Sequence, residues 1–304
     1  MDFGHTVLLT SCMKWGIVMY RIGLSSCGFP LNAESYAALR AAGIQDIEIS
    51  LPFKDYPDLD FQKTKTLADA YGVNLWSFHL PFAGAGVQDI ASPDEALRKK
   101  SVNLLAEYIR KGADIGIDKF VVHPCGEPVS EEPVGRAMQM QQAMTSLDTL
   151  AEVAAAGGAV IAVEDLPRSC LGRTAEEIRQ LISANDKLRV CFDTNHLLIE
   201  DNLHFVKALG DKIVTLHVSD YDFINERHWL PGEGKNDWPA LYDAIRETGY
   251  NGVWLYEIGL SCPKTIYRDR TLTFDDFSRN AHEIFDHRPL TVLSRPKENL
   301  GMWE

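Results

Sequence analysis

Eight short apolar runs, each followed by a stretch with helical periodicity, constrain this chain more than any other feature. The predicted strands are Tyr20–Ser26, Asp46–Leu51, Asn74–Leu80, Lys119–Pro124, Ala159–Leu166, Leu188–His196, Ile213–Ser219 and Gly252–Ile258. Helical patterns between them include Ala33–Ala42, Pro93–Ile115, Met138–Ala156, Thr174–Ser183 and Trp238–Thr248. Asn32 and Ser92 are the expected N-caps, and Gly43, Gly116, Gly157 and Gly249 the expected stops. Strict alternation demands parallel strands with right-handed crossovers. Eight such units close into a single (β/α)8 TIM barrel of the α/β class, with a doubly wound open sheet as the alternative. No GxGxxG or GxxxxGK[ST] loop follows any run, which counts against a nucleotide-binding open sheet. The length of 304 residues suits one barrel, and no repeat or linker divides it. The expectation is a barrel over residues 19–288, an N-terminal extension over 1–18, and an irregular tail over 289–304. That tail is expected to wrap the outside of the barrel or to serve a contact in a homo-oligomer.

Barrel active sites lie at the C-terminal ends of the strands, so polar residues that close apolar runs carry the information. Side chains alternate along a strand. If Ile161 and Val163 pack on the helices, Glu164 points into the barrel mouth. The same alternation leads from Cys191 to Asp193, from Thr215 to His217, and from Val253 and Leu255 to Glu257. Four ligand-type side chains therefore converge. Three carboxylates confined without a cation would repel one another. The oxygen-rich set suits one divalent ion, Mn2+ first, with Mg2+, Co2+ and Zn2+ as alternatives.

Other residues widen the polar mouth. His79, His123 and His196 end strands and could grip a polyhydroxylated ligand or hold further metals. Glu48 stands between a mouth-facing and a structural role. The segment Leu216–Gly234 carries His217, Glu226, Arg227 and His228 into a turn at Pro231, Gly232 and Gly234. Within it, Trp229 is placed to stack on the apolar face of a sugar. Trp76, Phe78, Phe82 and Trp254 are read as core.

Composition excludes several classes. A net charge of −13 would repel a polyanion over most of the surface, which disfavours nucleic acid as a partner. No run has the length needed to span a bilayer, and the N-terminal stretch lacks the basic leader and cleavage signature of a signal peptide. Six cysteines without a CxxC pair point to reduced thiols and a cytoplasmic protein.

The segments VEDL, FDTNH, LHVSD, ERHWLPGEG and LYEIG resemble the xylose isomerase-like TIM-barrel superfamily, which comprises sugar phosphate isomerases and epimerases and also endonuclease IV. The resemblance is densest from Ala159 to Gly259. It implies that Glu164, Asp193, His217 and Glu257 bind one divalent metal, that the two glutamates form the acid/base pair, and that His196 and Arg227 contact substrate oxygens. His79, His123, Glu226, His228 and Trp229 complete the expected substrate site. The expected activity is isomerisation or epimerisation of a sugar, sugar phosphate or related keto-polyol through a metal-stabilised enediolate. Endonuclease IV offers the main rival, because its three-metal ligand set has counterparts at His79, His123, Glu164, Asp193, His196, His217, Glu226, His228 and Glu257. A keto-sugar or cyclitol dehydratase and a non-catalytic sugar sensor are further alternatives.

Overall fold

The structure, a computed structural model, describes residues 20–302. The expected 1–18 extension lies outside the described residues.

All eight predicted strands form, at β1 (Arg21–Ser25), β2 (Asp46–Ile49), β3 (Asn74–His79), β4 (Lys119–Val122), β5 (Val160–Glu164), β6 (Arg189–Asp193), β7 (Ile213–His217) and β8 (Val253–Tyr256). They pair in parallel in the order β7-β6-β5-β4-β3-β2-β1-β8. The ring closes past the end of β7, where Val218 bridges Tyr256 and its amide donates to the carbonyl of Leu255 at 2.8 Å. This is a (β/α)8 barrel rather than an open sheet.

The helices are α1 (Ala33–Ala41), α2 (Phe61–Tyr71), α3 (Glu95–Asp114), α4 (Pro133–Ala156), α5 (Ala175–Ile182), α6 (Asn202–Leu209), α7 (Trp238–Glu247) and α8 (Phe274–Phe285). Asn32 caps α1 as expected, accepting from the Ser35 amide at 2.8 Å. Asp94, not Ser92, caps α3, and Ser92 instead accepts from the Asp94 amide. The helix α4 starts five residues before the predicted Met138, because Pro133 is tolerated in a first turn, where its missing N–H has no partner to lose. After α4 the left-handed residue is Gly158, with φ 75°, while Gly157 stays at φ −94°.

The main core lies between barrel and helices. Outward-facing Trp254 on β8 packs against Tyr20, Tyr242, Trp238 and Phe285, with ring centroids 5.7–6.2 Å away. A separate small cluster of Val121, Ala162 and Cys191 fills the barrel interior. Among the described residues no helix is long and apolar enough to cross a membrane.

The C-terminal segment departs from expectation. A short strand β10 (Ser294–Pro296) pairs antiparallel with β9 (Ile266–Arg268). The chain then runs to the loop that follows β7, where the Arg227 guanidinium donates to the Gly301 carbonyl at 2.7 Å and the Asn225 amide to that of Met302. The tail thus braces the rim of the mouth.

Trp254→Ala removes a fully buried indole from the outer core. It is expected to lower stability by about 3–5 kcal/mol, read as a shift in the urea midpoint at unchanged slope.

Candidate active site

Glu164, Asp193 and His217 are the last residues of β5, β6 and β7, and Glu257 directly follows β8. Parallel strands in register bring their C-terminal ends to one level, so the four side chains meet. One ligand atom from each lies within 4.8 Å of all the others. His217 Nδ1 stands 2.8 Å from Glu164 Oε1, 3.5 Å from Glu257 Oε2 and 3.9 Å from Asp193 Oδ2. Its other nitrogen, Nε2, donates to Glu48 at 3.1 Å, and Glu48 accepts from Ser77 Oγ at 2.8 Å. Glu48 therefore faces the barrel interior and fixes the imidazole that carries Nδ1 toward the carboxylates.

Burial alone would drive these carboxyls toward the neutral form. For Glu164 the imidazoles of His217 and His123 overcome burial and hold its carboxyl well below the usual range. Burial dominates at Asp193, helped by the charges of Glu257 and Glu164, and pushes its carboxyl well above the usual range. Burial would lower His217, but Cys191, Glu257, Glu48 and Glu164 lift it well above an ordinary histidine. Protons on imidazole thus compensate the negative charge. A divalent cation fits the same place: Asp193 Oδ2 is buried without a hydrogen-bond partner, and three carboxylates with one imidazole form a donor set suited to such an ion.

A cavity of about 730 Å³ opens above this group, lined by His79, His123, His196, Glu226 and His228 among others. His79 Nε2 and His123 Nε2 approach Glu164 Oε2 at 3.2 and 3.1 Å. His196 donates from Nδ1 to the Asp165 carbonyl at 2.8 Å, and its Nε2 lies 3.2 Å from Glu226. His228 Nδ1 donates to the Glu257 carbonyl at 3.1 Å.

Two expected substrate contacts point elsewhere. The Arg227 guanidinium is buried against Asp222 at 2.9 Å and the Gly301 carbonyl. Trp229 is 1% exposed, with its indole N–H donating to Thr265 Oγ1 at 2.9 Å. Neither lines the cavity. Glu226 and His228 line the cavity while Arg227 and Trp229 turn to the tail and the scaffold, across a segment that the left-handed backbone of His228 sets apart from a regular strand. Phe82, expected in the core, is 43% exposed and lines the cavity, its ring 4.2 Å from that of His123.

Arg168 is a mouth residue that the sequence reading missed. Its guanidinium donates to Glu226 at 2.7 Å, Asn225 at 2.8 Å and Glu127 at 2.7 Å, tying together the loops after β4, β5 and β7. Arg168 and His228 both hold left-handed backbone, at φ 53° and 50°. Such backbone costs about 1–3 kcal/mol per residue and gathers at functional sites. Asp220 anchors the next turn, accepting from the amides of Gly232, Gly234 and Asn236 and from the Trp238 indole. A Cβ on Gly234 would meet Asp220 Oδ1 at 2.3 Å, which explains the glycine.

Comparison with known proteins gives a consistent family. The sequence model of the family described as xylose isomerase-like TIM barrel matches residues 36–270. The chain is 30% identical over 248 residues to L-ribulose 3-epimerase of Mesorhizobium japonicum, covering 76% of this chain and 79% of that protein. It is 26% identical to D-psicose 3-epimerase of Ruminiclostridium cellulolyticum, covering 69% and 72%. It is 27% identical to the probable endonuclease 4 of Finegoldia magna, covering 62% and 70%. For the uncharacterized protein MJ1311 of Methanocaldococcus jannaschii, at 28% identity over 62% of this chain, the match spans 65% of that protein's length. A solved structure of an L-ribulose 3-epimerase superposes with a TM-score of 0.73 at 23% identity, covering 88% of this chain and 94% of the other; at that identity it speaks for the fold.

Glu48→Gln removes the charge that fixes His217. Affinity for Mn2+, measured by competition with a fluorescent chelator, is expected to fall about 10–100-fold, and unchanged affinity would contradict the role. Arg168→Gln should unfasten the mouth while leaving the barrel intact. Amide exchange at Asn225–His228 is expected to quicken while exchange in β5 and β6 stays slow.

Proposed function

The chain belongs to the xylose isomerase-like TIM-barrel family, and from that premise we propose that it is a divalent-metal-dependent epimerase or isomerase of an uncharged keto-sugar. The observation that carries this reading is the convergence of Glu164, Asp193, His217 and Glu257 beneath a cavity edged with imidazoles. The relatedness to sugar 3-epimerases supports the substrate class.

Glu164, Asp193, His217 and Glu257 would hold the ion. When bound, it supplies positive charge that stabilises the enediolate formed as a carbonyl loses its α-proton. Glu164 and Glu257 rise from different strands and reach the space above the group from two sides. One takes the proton from the carbon beside the carbonyl, and the other returns a proton to the opposite face, which inverts that centre. Return to the neighbouring carbon gives isomerisation instead. His79 and His123, both on Glu164 Oε2, hold this carboxylate in place, and the imidazoles of His217 and His123 keep it ionised against its burial. His228, whose Nδ1 is turned to the Glu257 carbonyl, presents its Nε2 edge to sugar hydroxyls, while Glu226 and the Asp165 carbonyl engage the two ring nitrogens of His196.

The lining also argues for a neutral substrate. Among the described residues that line the cavity no lysine occurs, and the guanidinium of Arg168 is already paired with Glu127 and Glu226. A phosphate there would meet the carboxylates of Glu127, Glu164, Glu226 and Glu257, with imidazoles and the proposed ion alone to offset its charge.

A second reading has its own observation. His79 with His123 and Glu164, and His196 with Glu226 and His228, form two further groups able to hold a metal, the arrangement a multi-metal phosphodiesterase of the endonuclease type would use. The net charge of −13 and the commitment of Glu226 to Arg168 weigh against it.

The test is solvent-deuterium uptake by a panel of free ketoses, keto-glycosides and their phosphate esters with the Mn2+-loaded protein. Uptake at the α-carbon is expected from neutral sugars, with kcat/KM about a hundredfold lower for the esters, or ~2.7 kcal/mol. Glu164→Gln and Glu257→Gln should each lower uptake about 10²–10⁴-fold with the fold retained by circular dichroism. Cleavage of abasic duplex without uptake from any sugar would favour the second reading.

A further inference from the structure

The cavity is too large for a hexose alone. At the ~30 Å³ a water molecule occupies in the liquid, the twelve heavy atoms of a hexose fill at most about 360 Å³, half of the 730 Å³ available. The two halves of the mouth differ in chemistry. Loops after β5 to β8 contribute the charged wall of Arg168, His196, Glu226, His228 and Glu257. Loops after β2 and β3 contribute Leu51, Pro52, Phe82, Ala83 and Gly84, a wall with no charged side chain. Phe82 is its centre. The ring is 43% exposed, yet it is held by His123 at 4.2 Å and His79 at 5.1 Å, the two imidazoles that contact Glu164. An exposed aromatic fixed beside the acid/base carboxylate has an open apolar surface facing the space that a monosaccharide leaves empty.

We propose that this half of the cavity is a subsite for a second ring, and that the substrate is a keto-glycoside whose aglycone or second sugar stacks on Phe82 in the part of the cavity that Leu51 and Pro52 also line. The inference rests on the keto-sugar reading and narrows it. A glycosidic bond blocks the anomeric carbon, so the carbonyl that acidifies the α-proton is a ring ketone flanked by hydroxyls. The chemical step stays balanced: one C–H bond breaks, its proton goes to one glutamate, and the other glutamate delivers a proton to the same carbon. Ring stacking and burial of apolar surface favour an aryl over a methyl aglycone.

The experiment measures deuterium uptake and KM for phenyl and methyl 3-keto-β-D-glucopyranosides and for free ketoses, in the wild type and in Phe82→Ala and Phe82→Tyr. The expected result is a KM about tenfold lower for the phenyl than for the methyl glycoside. Phe82→Ala should abolish this difference and Phe82→Tyr should restore it. Equal KM values in the wild type, or a preference that survives Phe82→Ala, would overturn the subsite. Uptake from free ketoses with exclusion of both glycosides would overturn it while leaving the keto-sugar reading intact. No uptake from any sugar would remove both.

Discussion

One imidazole faces four carboxylates at the centre of this barrel, and the site depends on that arrangement. His217 contacts Glu48 through Nε2 and faces Glu164, Glu257 and Asp193 through Nδ1. Taking a carboxylate out of water costs several kcal/mol unless partners replace the solvent. Here the partners are imidazoles on β3, β7 and the loops after β4 and β6, with Ser77 on β3. The cluster exists because parallel strands end at one level, and its burial is tolerated because positive charge can reside in its middle. The same balance makes the place suitable for a divalent ion.

Around this fixed floor the mouth is assembled from loops. Arg168 links three of them, and its partner Asn225 also holds the C-terminal segment. Asn195 accepts from the Arg227 amide at 2.8 Å, so the loop after β6 sets the path of the loop after β7. Placement of Glu226 and His228 therefore depends on contacts made far along the chain, whereas Glu164, Asp193 and His217 depend on the strands that carry them.

That division decides what could be read from the sequence. Strand periodicity and apolar runs are local, so all eight strands and the four convergent side chains were legible, and alternation within β5 correctly aimed Glu164 inward. Arg168 was not legible, since nothing local in LPRSC distinguishes a mouth clamp from a surface arginine. The family resemblance implies a sugar contact for Arg227, and Trp229 is expected at the sugar because it is an aromatic in a polar loop. Their turn toward the tail and the scaffold passes through the left-handed residue His228, which no local pattern announces. Phe82 follows a strand that ends in His79 and so belongs to the mouth, but its apolar character suggested the core. The tail's return to the β7 loop rests on contacts between residues some seventy positions apart, such as Asn225 with Met302 and Arg227 with Gly301, and no short motif announces them.

The central claim is a single cation held by Glu164, Asp193, His217 and Glu257. Its most direct test is anomalous diffraction from crystals grown with Mn2+ and recorded on both sides of the metal's absorption edge. The account predicts one anomalous peak per chain, bonded to those four side chains, with Arg168 still on Glu226. Peaks between His79 and His123 and between His196 and His228, or none at the four-residue group, would contradict it.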